Sequence, residues 1–194
     1  RLDATGYQHE YWLDTDPERL PCVPVTTDDG DRLKVTLPVD DEDVVAQVWR
    51  VDVGRVPLYL LDTDCPENST VGRWVTSRLY EGISSVRLAQ YAVLGYGGAT
   101  VLERLGIEPS VFHVNEGHPA PALAQLMGRA RLAGQSYDEA WAEAGRRLVF
   151  TTHTPVAAGN ETYDAAEARE MLHRVAEVTG DTERFLAAGR LDPD

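Results

Sequence analysis

Apolar and polar residues alternate along the first third of the chain. "RLKVTLPV" (32–39) places Leu33, Val35, Leu37 and Val39 on one side after the turn "TDDGD", a half-buried strand pattern. "VVAQVWRVDV" (44–53) and "VPLYLLDTD" (56–64) flank Gly54-Arg55, a connection short enough for a hairpin. The acidic stretch Asp40 to Asp43 reads as a solvated loop.

Beyond about residue 70 the period changes. "VRLAQYAVLGYGGATVLERLG" (86–106) carries apolar positions at helical spacing, interrupted by Gly95, Gly97 and Gly98. Gly106 fits a helix stop, with Pro109 just beyond. "SVFHV" (110–114) is a short buried strand, followed by a helix from about Pro119 to Ala133 with proline in its first turn. "SYDEAWAEAGRR" (136–147) is a helix with Ser136 as N-cap and Glu139 completing a capping box. "LVFTT" (148–152) is a second short strand, feeding the turn-rich loop "HTPVAAGNE". "TYDAAEAREMLHRVAEVTG" closes as a helix ended by Gly180. This order is that of an α/β fold with a parallel sheet. Two parts are expected: a β-rich segment over 1–70 and an α/β part over 71–194.

Both parallel strands run out into polar residues and glycine. In parallel α/β sheets the crevice at the carboxyl ends of strands is where ligands bind. Asn115, Glu116, His118, Thr152, His153 and Thr154 would meet there, and Gly117 would let a ligand approach the backbone. A structural role is compatible with the same residues: Asn115 and His118 capping the next helix, His153 donating to a carbonyl. His113, inside the strand, reads as a satisfied core histidine. His113, Glu116 and His118 give H-x-x-E-x-H, which is not the helical spacing that makes side chains converge on zinc, so no metal site is expected. "GYGG" (95–98) reads as close helix packing, not as a phosphate loop. The tryptophans Trp12, Trp49, Trp74 and Trp141 are scattered and read as packing residues.

Charge and composition narrow the classes. A formal net charge of −14 repels phosphate backbones, so nucleic acid is not an expected partner. No apolar run approaches the ~18 residues a membrane span needs. Cys22 and Cys65 match no metal spacing and read as reduced thiols of a cytoplasmic protein. Lys34 is the only lysine among 18 cationic residues, so any lysine chemistry has one candidate. The chain opens on Arg1 and reads as an internal piece of something longer.

Three stretches, "VGRVPLYLLDTDCPENS" (53–69), "HVNEGHPA" (113–120) and "VFTTHTPVAAGNE" (149–161), together resemble the bacterial α-glucan (glycogen, starch or maltodextrin) phosphorylases, over nearly the whole chain. The resemblance implies part of the N-terminal domain of a GT-B type glycosyltransferase, a fold of two Rossmann-like domains facing across a cleft. It implies transfer of a terminal glucosyl unit from an α-1,4-glucan to phosphate, giving glucose 1-phosphate. It also implies pyridoxal phosphate on a lysine outside this chain, and a homodimeric full-length protein. By the same resemblance His118 matches the histidine that contacts the glucosyl residue. Asn115, Glu116 and Gly117 shape its loop, and His153 and Thr154 lie nearby in the cleft wall. None of these is expected to be a catalytic residue proper, and the chain alone is expected to be inactive. The sequence departs from the family where Glu81, Gly82, Ile83 and Ser84 replace a Gly/Asp-containing loop, and where Tyr91 follows Gln90 in place of an acidic residue. A non-catalytic carbohydrate-binding or scaffold piece on the same fold is the alternative.

Overall fold

The computed structural model describes residues 2–9, 15–79, 81–156 and 160–190. Four antiparallel strands open the structure: β1 (Val23–Pro24), β2 (Lys34–Val39), β3 (Glu42–Val53) and β4 (Val56–Asp62). β3 is central. β2 and β1 lie in line along one edge of it, and β4 pairs along the other. The alternation read from the sequence is the burial pattern found: Val35, Leu37 and Val39 face inward opposite Ala46, Val44 and the chain reversal. Gly54-Arg55 makes the expected two-residue hairpin, with Gly54 at φ +62. The acidic stretch differs from expectation. Val39 pairs with Glu42, so only Asp40 and Asp41 form the turn, and Glu42 and Asp43 already belong to β3. Asp40 takes φ 51, a left-handed conformation that aspartate tolerates better than most residues.

The apolar run 84–104 is one continuous helical stretch in three parts. These are α2 (Ser84–Tyr91), a π-helical turn (Ala92–Gly97) and α3 (Gly98–Arg104); a short α1 (Thr70–Trp74) precedes it. Two of its glycines have a packing reason. A Cβ on Gly95 would stand 2.7 Å from the Pro119 carbonyl oxygen and 2.8 Å from the Ala122 nitrogen, both backbone atoms. A Cβ on Gly97 would press on Leu37 and Leu61 at 3.0 Å. The extra residue of the π turn and the missing side chains let the helix lie flush on the sheet and on the turn that follows the next strand.

β5 (Phe112–Asn115), α4 (Ala122–Leu132), α5 (Tyr137–Arg147) and β6 (Leu148–Thr151) form a right-length crossover unit. β5 and β6 pair in parallel, Asn115 opposite Thr151. Ser136 and Glu139 make the expected reciprocal capping box. α6 (Ala165–Glu177), capped by Asp164, and α7 (Thr182–Ala187) complete the chain. One cluster of buried apolar side chains joins β2, β3, α2, the π turn and α6, and includes Ala124 of α4. A second, with Leu126, Met127, Ala130, Ala140 and Ala144, fastens α4 to α5.

Three expectations about burial are corrected. Neither parallel strand is buried throughout: β5 buries only Val114, and in β6 Val149 is 47% and Phe150 56% exposed. His113 is exposed as well, because its side chain leaves β5 on the face away from α4 and α5, where its Nε2 lies 2.6 Å from Thr151 Oγ1. Of the tryptophans, Trp49 is buried and Trp141 packs against Tyr137 and Phe185 as expected, but Trp74 is 51% exposed, and Trp12 is outside the described residues.

Gly95→Ala is expected to destabilise the chain by about 1–3 kcal/mol, because backbone atoms cannot yield to the added methyl. Gly98→Ala, with nothing within 4 Å of the new Cβ, is expected to be neutral or to stabilise by up to about 1 kcal/mol through helix propensity. Melting temperatures of the two variants, compared with the parent, check this.

Candidate functional site

Asn115 is the last residue of β5, and Glu116 follows in the left-handed region at φ 58. That conformation costs a non-glycine residue of order 1 kcal/mol or more and persists only where surroundings enforce it. The surroundings here are the residues after β6. The Glu116 amide donates to the Thr151 carbonyl at 2.9 Å, one step beyond the ladder. Glu116 Oε1 accepts the His153 amide at 2.5 Å and the Thr154 hydroxyl at 3.2 Å; Oε2 accepts the Thr152 hydroxyl at 3.1 Å. The His153 amide, supported by the two hydroxyls, holds the Glu116 carboxyl below its ordinary value against the opposing effect of burial. One ionised carboxylate thus staples the β5 exit to the β6 exit.

The staple places His153. Its Nε2 lies 3.1 Å from Asn115 Oδ1. With that oxygen accepting, His153 carries its proton on Nε2 and keeps Nδ1 as an acceptor. Of the residues expected at this site, Asn115, Glu116, Thr152, His153 and Thr154 are joined directly. Gly117 is exposed beside them and no side chain crowds it.

His118 belongs to a different neighbourhood. The turn carries it onto α2, where its ring packs against Tyr91 at 4.9 Å between centroids. Its Nε2 lies 3.2 Å from Arg87 Nη2. Arg87 is 6% exposed and pairs with Glu161 at 2.8 Å. It also reaches Gln90 Oε1 at 3.0 Å and the Tyr91 hydroxyl at 3.3 Å. Tyr91 donates to Glu161, and the Tyr163 hydroxyl lies 2.9 Å from the Tyr91 oxygen and 2.5 Å from Glu161 Oε2. Burial works against ionising Glu161, but the hydrogen bonds from Tyr163, Tyr91 and Arg87 outweigh it and lower the carboxyl to about 2. Burial, and the Glu161 carboxylate beside it, push the Tyr91 hydroxyl far up from its ordinary value. Sequence reasoning did not single out Arg87, Glu161 or Tyr163. The available signal was Arg87 itself, a charge on the apolar side of a helix four residues before Tyr91.

His113, Glu116 and His118 turn to Thr151, to the 152–154 segment and to Arg87 respectively. Among the described residues no group of three His, Cys, Asp or Glu side chains is placed to hold a metal ion. No helix among them is long and apolar enough to cross a membrane.

No family model matches the chain. Individual proteins do. A maltodextrin phosphorylase of Thermococcus litoralis is 40% identical over 189 residues, 97% of this chain and 23% of that protein. A glycogen phosphorylase of Aquifex aeolicus is 35% identical over 190 residues, 97% of this chain and 28% of that protein. A glycogen phosphorylase of Mycobacterium tuberculosis is 39% identical over 202 residues, 97% and 22% respectively. This chain is homologous to glycogen and maltodextrin phosphorylases. It spans about a quarter of the length of these relatives. The likeness covers both strand exits, so the Glu116 staple and the Arg87–Glu161 cluster both lie within phosphorylase-related sequence.

The Glu161 carboxyl gives a pH-dependent stability of definite sign. Its value in the folded chain, about 2, lies below the ordinary 4.5. The stabilisation is therefore complete above pH 4.5 and is lost as pH falls towards 2. Glu161→Gln is expected to lower stability at neutral pH by about 1–2 kcal/mol. This is less than the full conversion, because the side chain is 42% exposed and solvent screens it. The variant should also flatten the acid limb of a melting-temperature profile between pH 5 and pH 2.

Proposed function

We propose that the chain supplies the glucosyl-facing strand ends of the N-terminal, Rossmann-like domain of a GT-B type α-1,4-glucan phosphorylase. On this reading the β-rich residues 1–70 and the α/β residues 71–194 are two parts of that domain, and the whole protein is a cytoplasmic homodimer. Its substrates are an α-1,4-glucan and phosphate. The observation that carries the reading is the convergence of Asn115, Glu116, Thr152, His153 and Thr154 at the carboxyl ends of two parallel strands, where α/β sheets bind ligands.

The reaction breaks the bond between C1 of the terminal glucose and O4 of the next unit, and joins C1 to a phosphate oxygen. The departing O4 takes a proton. The residues of this chain bind and orient the sugar. His153 offers Nδ1 as an acceptor for a sugar hydroxyl, and Asn115 keeps its ring in place. Thr154 and the strand-end backbone add directional partners. His118 contacts the same glucosyl unit from the other side of the turn. Glu116 acts by position: its oxygens are already engaged by three donors, and it fixes where His153 stands. An ionised carboxylate at a glucosyl site favours positive charge developing on the sugar ring.

Pyridoxal phosphate does not fit the residues present here. Its attachment requires a lysine that can lose its proton in a shielded pocket. Lys34 lies on an exposed strand position, paired with Glu67 at 2.5 Å. The hydrogen bond to Glu67 raises the Lys34 ammonium above its ordinary value, the opposite of what attachment needs. The cofactor lysine of the proposed enzyme lies outside this chain.

The test is a chimera in which this chain replaces the matching segment of the Thermococcus litoralis maltodextrin phosphorylase. It is expected to release glucose 1-phosphate from maltodextrin, whereas the 194-residue chain alone is expected to release none. His153→Ala and His118→Ala in the chimera should each lower kcat/KM about 5- to 150-fold, the effect of one hydrogen bond worth roughly 1–3 kcal/mol in the transition state. A chimera that melts cooperatively but shows no turnover would sink the proposal.

A further inference from the structure

Arg87 meets His118 nitrogen to nitrogen. A guanidinium has five N–H donors and no acceptor. At 3.2 Å between Arg87 Nη2 and His118 Nε2, the contact is a hydrogen bond only if Nε2 is bare. The proton of the neutral ring then sits on Nδ1. An Nε2–H ring would set two N–H groups against each other beside a full positive charge.

We propose that Arg87 is a positioning residue that locks His118 in the neutral Nδ1–H tautomer, so that the ring presents a fixed hydrogen-bond donor to the sugar. The lock has a back wall. Glu161 pairs with Arg87 at 2.8 Å, the guanidinium stacks over the Tyr91 ring at 5.2 Å, and Gln90 takes a further N–H at 3.0 Å. These contacts fix the guanidinium so that Nη2, bonded to Glu161, turns its other N–H towards His118 Nε2 at 3.2 Å and the Tyr91 hydroxyl at 3.3 Å. Tyr91 packs against the imidazole itself and restricts its rotation. A sugar hydroxyl both donates and accepts, so a ring free to change tautomer would lose selectivity. Here the two histidines are set in opposite senses. His118 is held as an Nδ1 donor by an arginine, and His153 as an Nδ1 acceptor by an asparagine oxygen.

The functional half of this inference rests on His118 touching the glucosyl unit; the tautomer does not. The chain labelled with 15N-histidine is therefore examined first, by long-range proton–nitrogen NMR at neutral pH. Five histidines are present, and His118→Gln assigns the signal. The expected spectrum shows a protonated Nδ1 and an unprotonated Nε2 for His118. Arg87→Met should shift the ring to the Nε2–H form favoured by free imidazole, and Arg87→Lys, which keeps a donor, should retain Nδ1–H. Because Arg87→Met leaves Glu161 without its cation, the double variant Arg87→Met/Glu161→Gln provides the same reading with no uncompensated charge. An Nε2–H ring in the parent chain, or an unchanged tautomer in the folded double variant, overturns the lock. A purely structural Arg87 would lower the melting temperature of the variants without moving the tautomer. In the chimera described above, Arg87→Met should lower kcat/KM about 5- to 150-fold, and Arg87→Lys much less. A shifted tautomer with unchanged kinetics would uphold the lock and overturn His118 as a sugar contact.

Discussion

At Gly95 the π-helical turn comes so close to the start of α4 that a methyl group would overlap backbone atoms of Pro119 and Ala122. Much follows from that approach. It brings the turn after β5 down onto the helical run 84–104, so that His118 lands on Arg87 and Tyr91. It also lets Ala124 of α4 enter the core formed by the antiparallel sheet, α2 and α6. The π turn is thus part of the seat of the crossover unit β5–α4–α5–β6, together with α3 and α6.

Onto this seat the chain builds two polar clusters in which charge is held by opposite means. Glu116 is a half-buried carboxylate kept ionised by donors from the neighbouring strand exit, and it tolerates a left-handed backbone to do so. Arg87 is buried, and the carboxylate that pairs with it, Glu161, is 42% exposed and held by two tyrosines. Removing Glu161 takes that carboxylate away from a buried guanidinium, so the cost of breaking the pair falls on the Arg87 side. The first cluster ties strand to strand, and the second ties the loop after β6 to α2. Between them they anchor residues 152–154, Glu161 and Tyr163 to the β5 exit and to α2.

Tyr91 joins the parts of the second cluster. Its ring packs against His118 and its hydroxyl donates to Glu161, a residue of another segment of the chain.

Elements governed by local physics were legible in the sequence. The alternation of 32–39, the Gly54-Arg55 hairpin, the Ser136–Glu139 capping box and the glycine stops at Gly106 and Gly180 depend on contacts a few residues apart, and all are present. So was the meeting of Asn115, Glu116, His153 and Thr154, because parallel strands must bring their carboxyl ends together. Burial was less legible: an apolar run such as "LVFTT" reads the same whether or not another layer covers it, and His113 leaves β5 on the open face. The partners of His118 could not be read at all. Arg87 is 31 residues away and Glu161 lies 74 residues beyond Arg87, and nothing in their local patterns marks them as neighbours. Only the close packing at Gly95 and the return of the loop after β6 put them in contact, and with that contact the tertiary structure decided which nitrogen of His118 accepts.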